Sequence, residues 1–209
     1  MSDKIITRGN SLYGKRKREL KSSVIFGTVA SLLLFILALF ILADTFLFVK
    51  VKVSGASMEP TLYTGDFVSV SVYRKPTYGD IIVISGEKEN DWLIKRAIAF
   101  GGDTVKIEGG YVYLKKAGET EFTKLTEPYL GTQGITFWND VRASGYQIPS
   151  GEIFYLGDNR MNSSDSRSAY GTCGTSQIVG VVSDFALKTK GVNKFLEDIA
   201  SGIRDFFKF

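Results

Sequence analysis

The feature that most constrains this chain is an uninterrupted apolar segment near its N-terminus. Residues 22–43 read SSVIFGTVASLLLFILALFILA and contain no charged side chain. At about 1.5 Å per residue, a helix of this length crosses a hydrocarbon core of about 30 Å. A cleaved signal peptide would have a shorter apolar region followed by a small-x-small site, and a buried soluble helix would show a polar stripe. The segment therefore predicts a transmembrane helix over 22–43.

Basic residues concentrate in front of this segment. Residues 1–22 carry seven Lys or Arg and two acids, whereas the rest of the chain carries 19 Lys or Arg and 20 Asp or Glu. Since positive charge stays on the cytoplasmic side of a membrane helix, we expect a cytoplasmic basic tail over 1–21 and an extracytoplasmic domain over 44–209. A nucleic-acid-binding protein would carry its basic excess on the folded part. The expected partner is thus a lipid bilayer and not a nucleic acid.

The remainder of the chain has the period-two alternation and β-branched content of strands. Residues 92–100, WLIKRAIAF, fit a strand or a helix by periodicity, and the following GGD favours a strand. Residues 117–147 are polar and predict an extended loop or an accessory lobe. The outer part is therefore predicted to be mainly β and one folded unit, with further strands in FLFVKVKV (46–53), DFVSVSVY (66–73), DIIVIS (80–85), the hairpin TVKIEGGYVYLKK (104–116), EIFYLG (152–157) and QIVGVVSDFAL (177–187).

The C-terminal residues, GVNKFLEDIASGIRDFFKF, place their large apolar side chains at roughly helical spacing. The spacing predicts an amphipathic helix. Such a helix either packs on the domain or lies on a membrane surface, and packing is the favoured interpretation.

The chemistry open to the chain is limited by its lack of histidine and its single cysteine, Cys173. Ser-His-Asp and Cys-His catalysis both require an imidazole base. Zinc and most transition-metal sites draw on histidine and cysteine ligands. No intramolecular disulfide, metal or cofactor is therefore expected.

A candidate nucleophile lies just after the apolar segment, in the stretch SGASMEPTL at 54–62. Its serine, Ser57, is either a turn residue or a nucleophile that needs a base other than histidine. Lys95 in LIKRAIAF is a candidate base, because burial favours the neutral amine. The competing interpretation is a lysine on the solvent face of an amphipathic strand. A third stretch, GDNRMNSSDSR at 157–167, is by itself a polar loop with a potential Asp165–Arg167 ion pair.

Taken together, these three stretches resemble the motifs of bacterial type I signal peptidases. SGASMEPTL resembles their serine motif, Lys95-Arg96 followed by Gly102-Asp103 their lysine motif, and GDNRMNSSDSR their third signature. The motifs occur in the family's order behind an N-terminal membrane span. Each motif alone is a weak signal, whereas the ordered set is specific.

The resemblance implies a mostly antiparallel β domain and a Ser/Lys dyad, with Ser57 as nucleophile and Lys95 as general base. Ser163 would orient the lysine amine. The supporting residues would be Asp165, Arg167, Asp158 and Arg96, and the oxyanion would be bound by the Ser57 amide with a contribution from Ser54. The implied enzyme sits in a bacterial plasma membrane, near the secretion machinery. It cuts exported preproteins after small-x-small sites without a cofactor.

Some positions depart from the family's pattern. Gly55 occupies a position where some members carry a serine that completes the oxyanion hole, so either Ser54 or a second backbone amide must serve. The lysine motif has Gly101-Gly102-Asp103 instead of Pro-Gly-Asp, and Met161 replaces a commonly polar residue. None of these changes removes a proposed catalytic group.

Two other functions fit parts of the sequence. A catalytically inert relative acting as an assembly or binding factor would be expected to lack Ser57 or Lys95, and both are present. A self-cleaving Ser/Lys regulator would need a cytoplasmic DNA-binding domain, for which residues 1–21 are too short.

Overall fold

The computed structural model describes residues 24–40, 42, 46–86, 92–168 and 170–206. The chain divides into two units, Met1–Phe46 and Leu47–Phe209. Residues 24–40 of the first unit form a helix, α1. None of the helices among the described residues combines the length and the apolar character needed to cross a membrane. The predicted basic tail over 1–21, and residues 22, 23, 41 and 43 of the predicted span, lie outside the described residues.

The second unit is built from two antiparallel sheets and a C-terminal helix, which confirms the mainly β, mostly antiparallel prediction. The strands are β1 (Phe48–Lys52), β2 (Phe67–Ser71), β3 (Ile81–Ser85), β4 (Trp92–Phe100), β5 (Thr104–Glu108), β6 (Tyr111–Lys115), β7 (Thr123–Lys124), β8 (Tyr146–Gln147), β9 (Glu152–Leu156), β10 (Cys173–Gly174) and β11 (Ile178–Val182). The larger sheet has the strand order β1-β2-β11-β3-β4-β9-β10, and the smaller one has the order β7-β6-β5-β8.

β4 is the central strand that carries Lys95. It lies between β3 and β9, and its residues 94–99 are all buried. Because both faces of the strand are covered, the sequence shows a continuous apolar run instead of an alternation. The strand prediction for 92–100 is confirmed.

The predicted hairpin over 104–116 forms the centre of the smaller sheet. Gly109 and Gly110 have φ angles of +59° and +86°, the conformation that a tight hairpin turn requires. The stretch 117–147 adds β7, β8 and two short 3-10 helices, Pro128–Gln133 and Val141–Ser144. The lobe predicted for 117–147 is therefore organised around a sheet that already begins at Thr104.

The strand predicted for 177–187 is right only as far as Val182. Helix α2 covers Asp184–Phe206. Ser183 ends the strand, because its Oγ accepts a hydrogen bond from the Ala186 amide at 3.0 Å and its carbonyl accepts one from the Leu187 amide at 3.2 Å. The helix predicted for the tail is confirmed through Phe206, and residues 207–209 lie outside the described residues.

Candidate active site

Ser57 lies in a turn directly after β1, and the backbone of this turn accepts hydrogen bonds from the 157–167 loop. Gly55 begins this turn with φ +88°. The Asn159 amide donates to the Ser57 carbonyl at 2.9 Å, and Asn159 Nδ2 donates to the Ala56 carbonyl at 3.1 Å. The backbone of the serine motif is therefore fixed by the third motif, about a hundred residues later in the chain.

Lys95 is 4% exposed and its amine contacts the Ser57 hydroxyl. The Nζ–Oγ distance is 2.9 Å, and Nζ also donates to the Ile94 carbonyl at 3.0 Å. Burial lowers the pKa of the Lys95 amine from its usual 10.5, and the Asp165 carboxylate acts in the opposite direction. A neutral amine in this position can accept the proton of the serine hydroxyl.

Asp165 and Arg167 form a bidentate ion pair behind the site. Arg167 Nε and Nη2 each lie 2.8 Å from a carboxylate oxygen of Asp165, whose side chain is fully buried. Asp165 Oδ2 also accepts from the Gly157 amide at 3.0 Å. The pair therefore holds the start of the 157–167 loop.

A second buried pair joins β4 to the same loop. Arg96 Nε and Nη2 donate to the two oxygens of Asp158 at 2.8 Å and 2.6 Å. Thr61 Oγ1 donates to Asp158 Oδ2 at 2.5 Å, so this carboxylate also holds the end of the Ser57 turn. The Arg96 guanidinium stacks on the Tyr129 ring, 3.7 Å from its centroid.

Ser163 is not hydrogen-bonded to the Lys95 amine. Its Oγ is buried and has no hydrogen-bond partner among the described residues. The side chain packs on Gly157, and the Ser57 carbonyl approaches the same glycine. The orienting role implied for Ser163 by the resemblance thus has no direct contact in this structure, although the hydroxyl lies beside the turn that contains Ser57.

Ser57 and Lys95 open onto a cleft of about 340 Å³. Ser54 and Gly55 line it, and Ser54 is exposed. Apolar wall residues include Val51, Met58 and Ile94. The cleft therefore gives access from solvent to the Ser57 hydroxyl and the Lys95 amine.

The sequence-based predictions did not include several residues that the structure places at this site. Arg160 forms an ion pair with Glu127 at 2.5 Å. It also donates hydrogen bonds to the Gly157 carbonyl, at 3.0 Å, and to the Thr136 hydroxyl. Tyr129 donates to Glu127 at 2.8 Å. Asn159 and Arg160 belong to the GDNR of the third motif, so the sequence could have identified them. Glu127, Tyr129 and Thr136 lie in a polar stretch with no periodicity to mark them.

Cys173 lies away from this chemistry. It lies on edge strand β10, where it pairs with Ile153 of β9, and its side chain is buried, which raises the pKa of its thiol to about 12. A thiol that stays protonated at neutral pH is a poor nucleophile.

Comparison with known proteins identifies the family. Residues 26–186 match the family model described as signal peptidase, peptidase S26. The signal peptidase I P of Bacillus subtilis subsp. natto is 31% identical, with 81% of this chain and 92% of that protein covered. The signal peptidase I of Bacillus licheniformis is 34% identical, with 76% and 89% covered. A crystal structure of a signal peptidase I from Enterococcus faecalis V583 aligns with 53% of this chain and 98% of its own, at 27% identity and a TM-score of 0.42.

The class defined by these findings is the serine protease, a hydrolase of peptide bonds. Within that class the chain belongs to the signal peptidase family, peptidase S26. The resemblance found in the three sequence motifs is thereby confirmed at the level of the family.

Proposed function

We propose that this chain removes N-terminal signal peptides from exported preproteins, with Ser57 as the nucleophile and Lys95 as the general base. The observation that carries the proposal is the 2.9 Å contact between Lys95 Nζ and Ser57 Oγ, made by a lysine that is 4% exposed. Burial lowers the pKa of this amine, which favours the neutral form that a base requires.

The chemistry proceeds in two steps. Neutral Lys95 takes the proton of Ser57 as Oγ attacks the scissile carbonyl, and the protonated amine then gives that proton to the departing amine of the mature protein. A water molecule, deprotonated by the same amine, then attacks the acyl carbonyl, and the protonated amine returns that proton to Ser57 Oγ as the ester bond breaks. The signal peptide leaves as a carboxylic acid, which ionises in solution, and the free serine and neutral lysine are restored. The Ser57 amide, with Ser54 or a second backbone amide, stabilises the oxyanion in both steps.

The substrate binds as an extended strand across the cleft. β1 is one of the two edge strands of the larger sheet. Residues 92–95 of β4 pair with β3, whereas pairing of β4 with β9 begins at Arg96. Both walls of the cleft therefore offer backbone groups for strand addition. Small side chains at the first and third positions before the cut fit against the apolar wall.

Four charged residues near the dyad act indirectly, by fixing the backbone that carries Ser57. Asp158, Arg96, Asp165 and Arg167 fix the 157–167 loop, and that loop fixes the turn of Ser57. Ser163, whose buried hydroxyl packs beside Gly157 and has no partner among the described residues, would orient the Lys95 amine only after a rearrangement during the reaction. An inert assembly factor is not favoured, because the chain belongs to a peptidase family and retains both dyad residues in contact.

The same proposal includes the location of the enzyme. Residues 22–43 anchor it in the plasma membrane of a bacterium, with the basic tail over 1–21 in the cytoplasm. The domain over 44–209 then acts outside, near the secretion machinery that delivers preproteins. The support for this topology is the charge distribution and the uncharged segment of the sequence.

The test is cleavage of a purified preprotein whose signal peptide ends in Ala-x-Ala. The full chain in detergent should produce one new N-terminus, directly after the second alanine. A matched preprotein with the first-position alanine replaced by a bulky residue should remain uncut. Intact preprotein after prolonged incubation with folded enzyme would refute the proposed function.

A further inference from the structure

Arg160 carries a buried positive charge within the 157–167 loop. Its side chain has no exposed surface, and among the described residues Glu127 is the acidic side chain that pairs with it. The pairing is bidentate, because Nη2 lies 2.5 Å and Nη1 3.3 Å from the two carboxylate oxygens of Glu127. Since a buried charge without a partner is strongly destabilising, the position of Glu127 determines where the guanidinium of Arg160 can lie.

The other side of the same guanidinium reaches the contact between the loop and the Ser57 turn. Arg160 Nε donates to the Gly157 carbonyl at 3.0 Å. Gly157 lies so close to the Ser57 turn that an added Cβ would come within 2.5 Å of the Ser57 carbonyl. Because the guanidinium is rigid and planar, a shift of its Glu127 end also shifts its Nε end. The ion pair therefore connects Glu127 to the backbone that supports Ser57.

Tyr129 connects the same segment to the strand that carries Lys95. Its hydroxyl donates to Glu127 at 2.8 Å, and burial raises the pKa of this hydroxyl, so it remains a donor at neutral pH. The ring lies under the guanidinium of Arg96, which is 3.7 Å from the ring centroid. Arg96 follows Lys95 in β4 and binds Asp158 through both Nε and Nη2. The segment thus contacts residues that support both members of the dyad.

The smaller sheet holds this segment at both ends. The Leu125 amide donates to the Val112 carbonyl at 2.9 Å. The Thr136 amide donates to the Gly110 carbonyl, also at 2.9 Å. The chain between these two bonds is therefore fixed to the β5–β6 hairpin, which gives the Glu127 carboxylate a defined position.

We propose that Glu127 is a positioning residue for the dyad of Ser57 and Lys95. Through Arg160 it holds the loop that supports the serine, and through Tyr129 it holds the arginine that follows the lysine. The inference rests on the proposed function, because it assigns Glu127 a role in the same reaction. In the described part of the chain, the cleft is lined by residues of β1, the serine turn and β4. Replacing Glu127 should therefore lower kcat and leave KM nearly unchanged.

The experiment measures kcat and KM for an Ala-x-Ala preprotein with the full chain in detergent. Glu127→Gln keeps the size of the side chain and removes its charge. Glu121→Gln is the matched control, since it makes the same change at an exposed position of the same lobe. Glu127→Gln should lower kcat by about 30- to 100-fold, as a displacement of about 1 Å can do, with KM within about twofold. Glu121→Gln should match the unsubstituted chain.

A double variant separates positioning from stability. Glu127→Gln leaves the charge of Arg160 buried without its acidic partner, so the thermal midpoint should fall. Adding Arg160→Met removes that charge, so the double variant should have a higher midpoint than Glu127→Gln. Its kcat should stay low, because no guanidinium remains to hold the Gly157 carbonyl. If kcat recovers together with the midpoint, the proposal is wrong, since Glu127 would then serve only to neutralise Arg160.

The remaining outcomes distinguish this inference from the proposed function. Wild-type kcat in folded Glu127→Gln would overturn the inference and leave the dyad in place. If Glu127→Gln does not fold, a kcat within about threefold of wild type in the folded double variant would overturn it instead. A rise in KM at unchanged kcat would also count against it, because Glu127 would then act on substrate binding. Failure of the unsubstituted chain to cut the preprotein would refute the proposed function and this inference together.

Discussion

At the scale of single residues, the proposed chemistry depends on Lys95. The sequence left open whether its side chain faces solvent or the interior, because periodicity cannot orient a side chain in a continuous apolar run. In the fold, β4 is covered on both faces, and the amine is buried against Ser57. A lysine in this setting loses hydration that the charged form needs, so its pKa falls.

The first prediction is the pH dependence of kcat/KM for a fixed peptide substrate. Below the lowered pKa of Lys95 the amine is protonated and cannot accept the Ser57 proton, so activity should fall in mild acid and rise towards a plateau before pH 10.5. The free energy of unfolding should change with pH in the same direction as the activity. Between the folded and unfolded pKa values the unfolded chain binds the proton more tightly, so the contribution of Lys95 to the free energy of unfolding rises with pH.

Lys95→Arg is the matched control for this profile. Its guanidinium remains protonated across the range, so the variant should be inactive at every pH. A flat wild-type profile from about pH 5 to about pH 9 on folded enzyme would mean that a group other than a buried lysine accepts the proton.

The second prediction concerns Ser163→Ala. The hydroxyl of Ser163 is buried and has no partner among the described residues, a condition that costs about 1–3 kcal/mol. Removing it should leave the thermal midpoint unchanged or higher, while kcat falls by up to about 100-fold if the hydroxyl orients the amine during the reaction. Wild-type kcat in this variant would exclude that orienting role, and a lowered midpoint would mark Ser163 as structural.

Among single residues, the sequence motifs identified two pairs that meet in the structure, Ser57 with Lys95 and Asp165 with Arg167. They marked Arg96 and Asp158 as supporting residues but did not predict that the two form an ion pair. They did not reveal Glu127 and Tyr129, whose contacts depend on the path of an irregular chain segment. Nor did they reveal that Asn159 would hold the Ser57 carbonyl, because a backbone hydrogen bond leaves no residue-type signature.

At the scale of secondary-structure elements, the 157–167 loop is the support of the Ser57 turn. Gly157 lies where the two segments touch. A Cβ at this position would come within 2.5 Å of the Ser57 carbonyl and would collide with the Ser163 side chain. Only glycine fits this close approach of two backbones.

The third prediction is that Gly157→Ala lowers kcat by about 100-fold or more, because displacement of the nucleophile by about 1 Å is enough for such a loss. Gly191→Ala is the control. It lies inside α2 with no atom near its added Cβ, so it should keep full activity and stabilise the helix by up to about 1 kcal/mol. Normal kcat for Gly157→Ala would show that the turn does not depend on this contact.

The strands were predictable where alternation or β-branched content was strong, as in β1, β2 and the β5–β6 hairpin. β7 and β8 are two residues each, too short to show any period. The end of β11 was missed, because Ser183-Asp184 is a helix start signal in the middle of an apolar run.

At the scale of the whole molecule, the proposed cleavage of exported preproteins requires the peptidase unit to work on the outer side of the membrane. The uncharged segment and the basic residues before it predict an inside N-terminus. The fourth prediction is that protease added to intact protoplasts digests the 44–209 domain, while a cytoplasmic marker survives. Protection of residues 60–209 in intact cells, with digestion after lysis, would contradict the topology.

The family and the site could be inferred together from the sequence, because three short motifs carry both. Neither the strand order nor the relation between the two sheets could be inferred from the sequence, because both depend on pairing between residues that are far apart in the chain. β11, for example, inserts between β2 and β3, more than ninety residues after β3 in the chain.

The claim that Ser57 and Lys95 form one catalytic unit is tested most directly by the rate of preprotein cleavage in Ser57→Ala, Lys95→Ala and the double variant. If the two side chains act together, each single change should lower kcat by up to about a millionfold, and the double change should cost no more than either single one. Circular dichroism verifies that the variants are folded. Wild-type cleavage by either folded single variant, or losses that multiply in the double variant, would contradict the dyad.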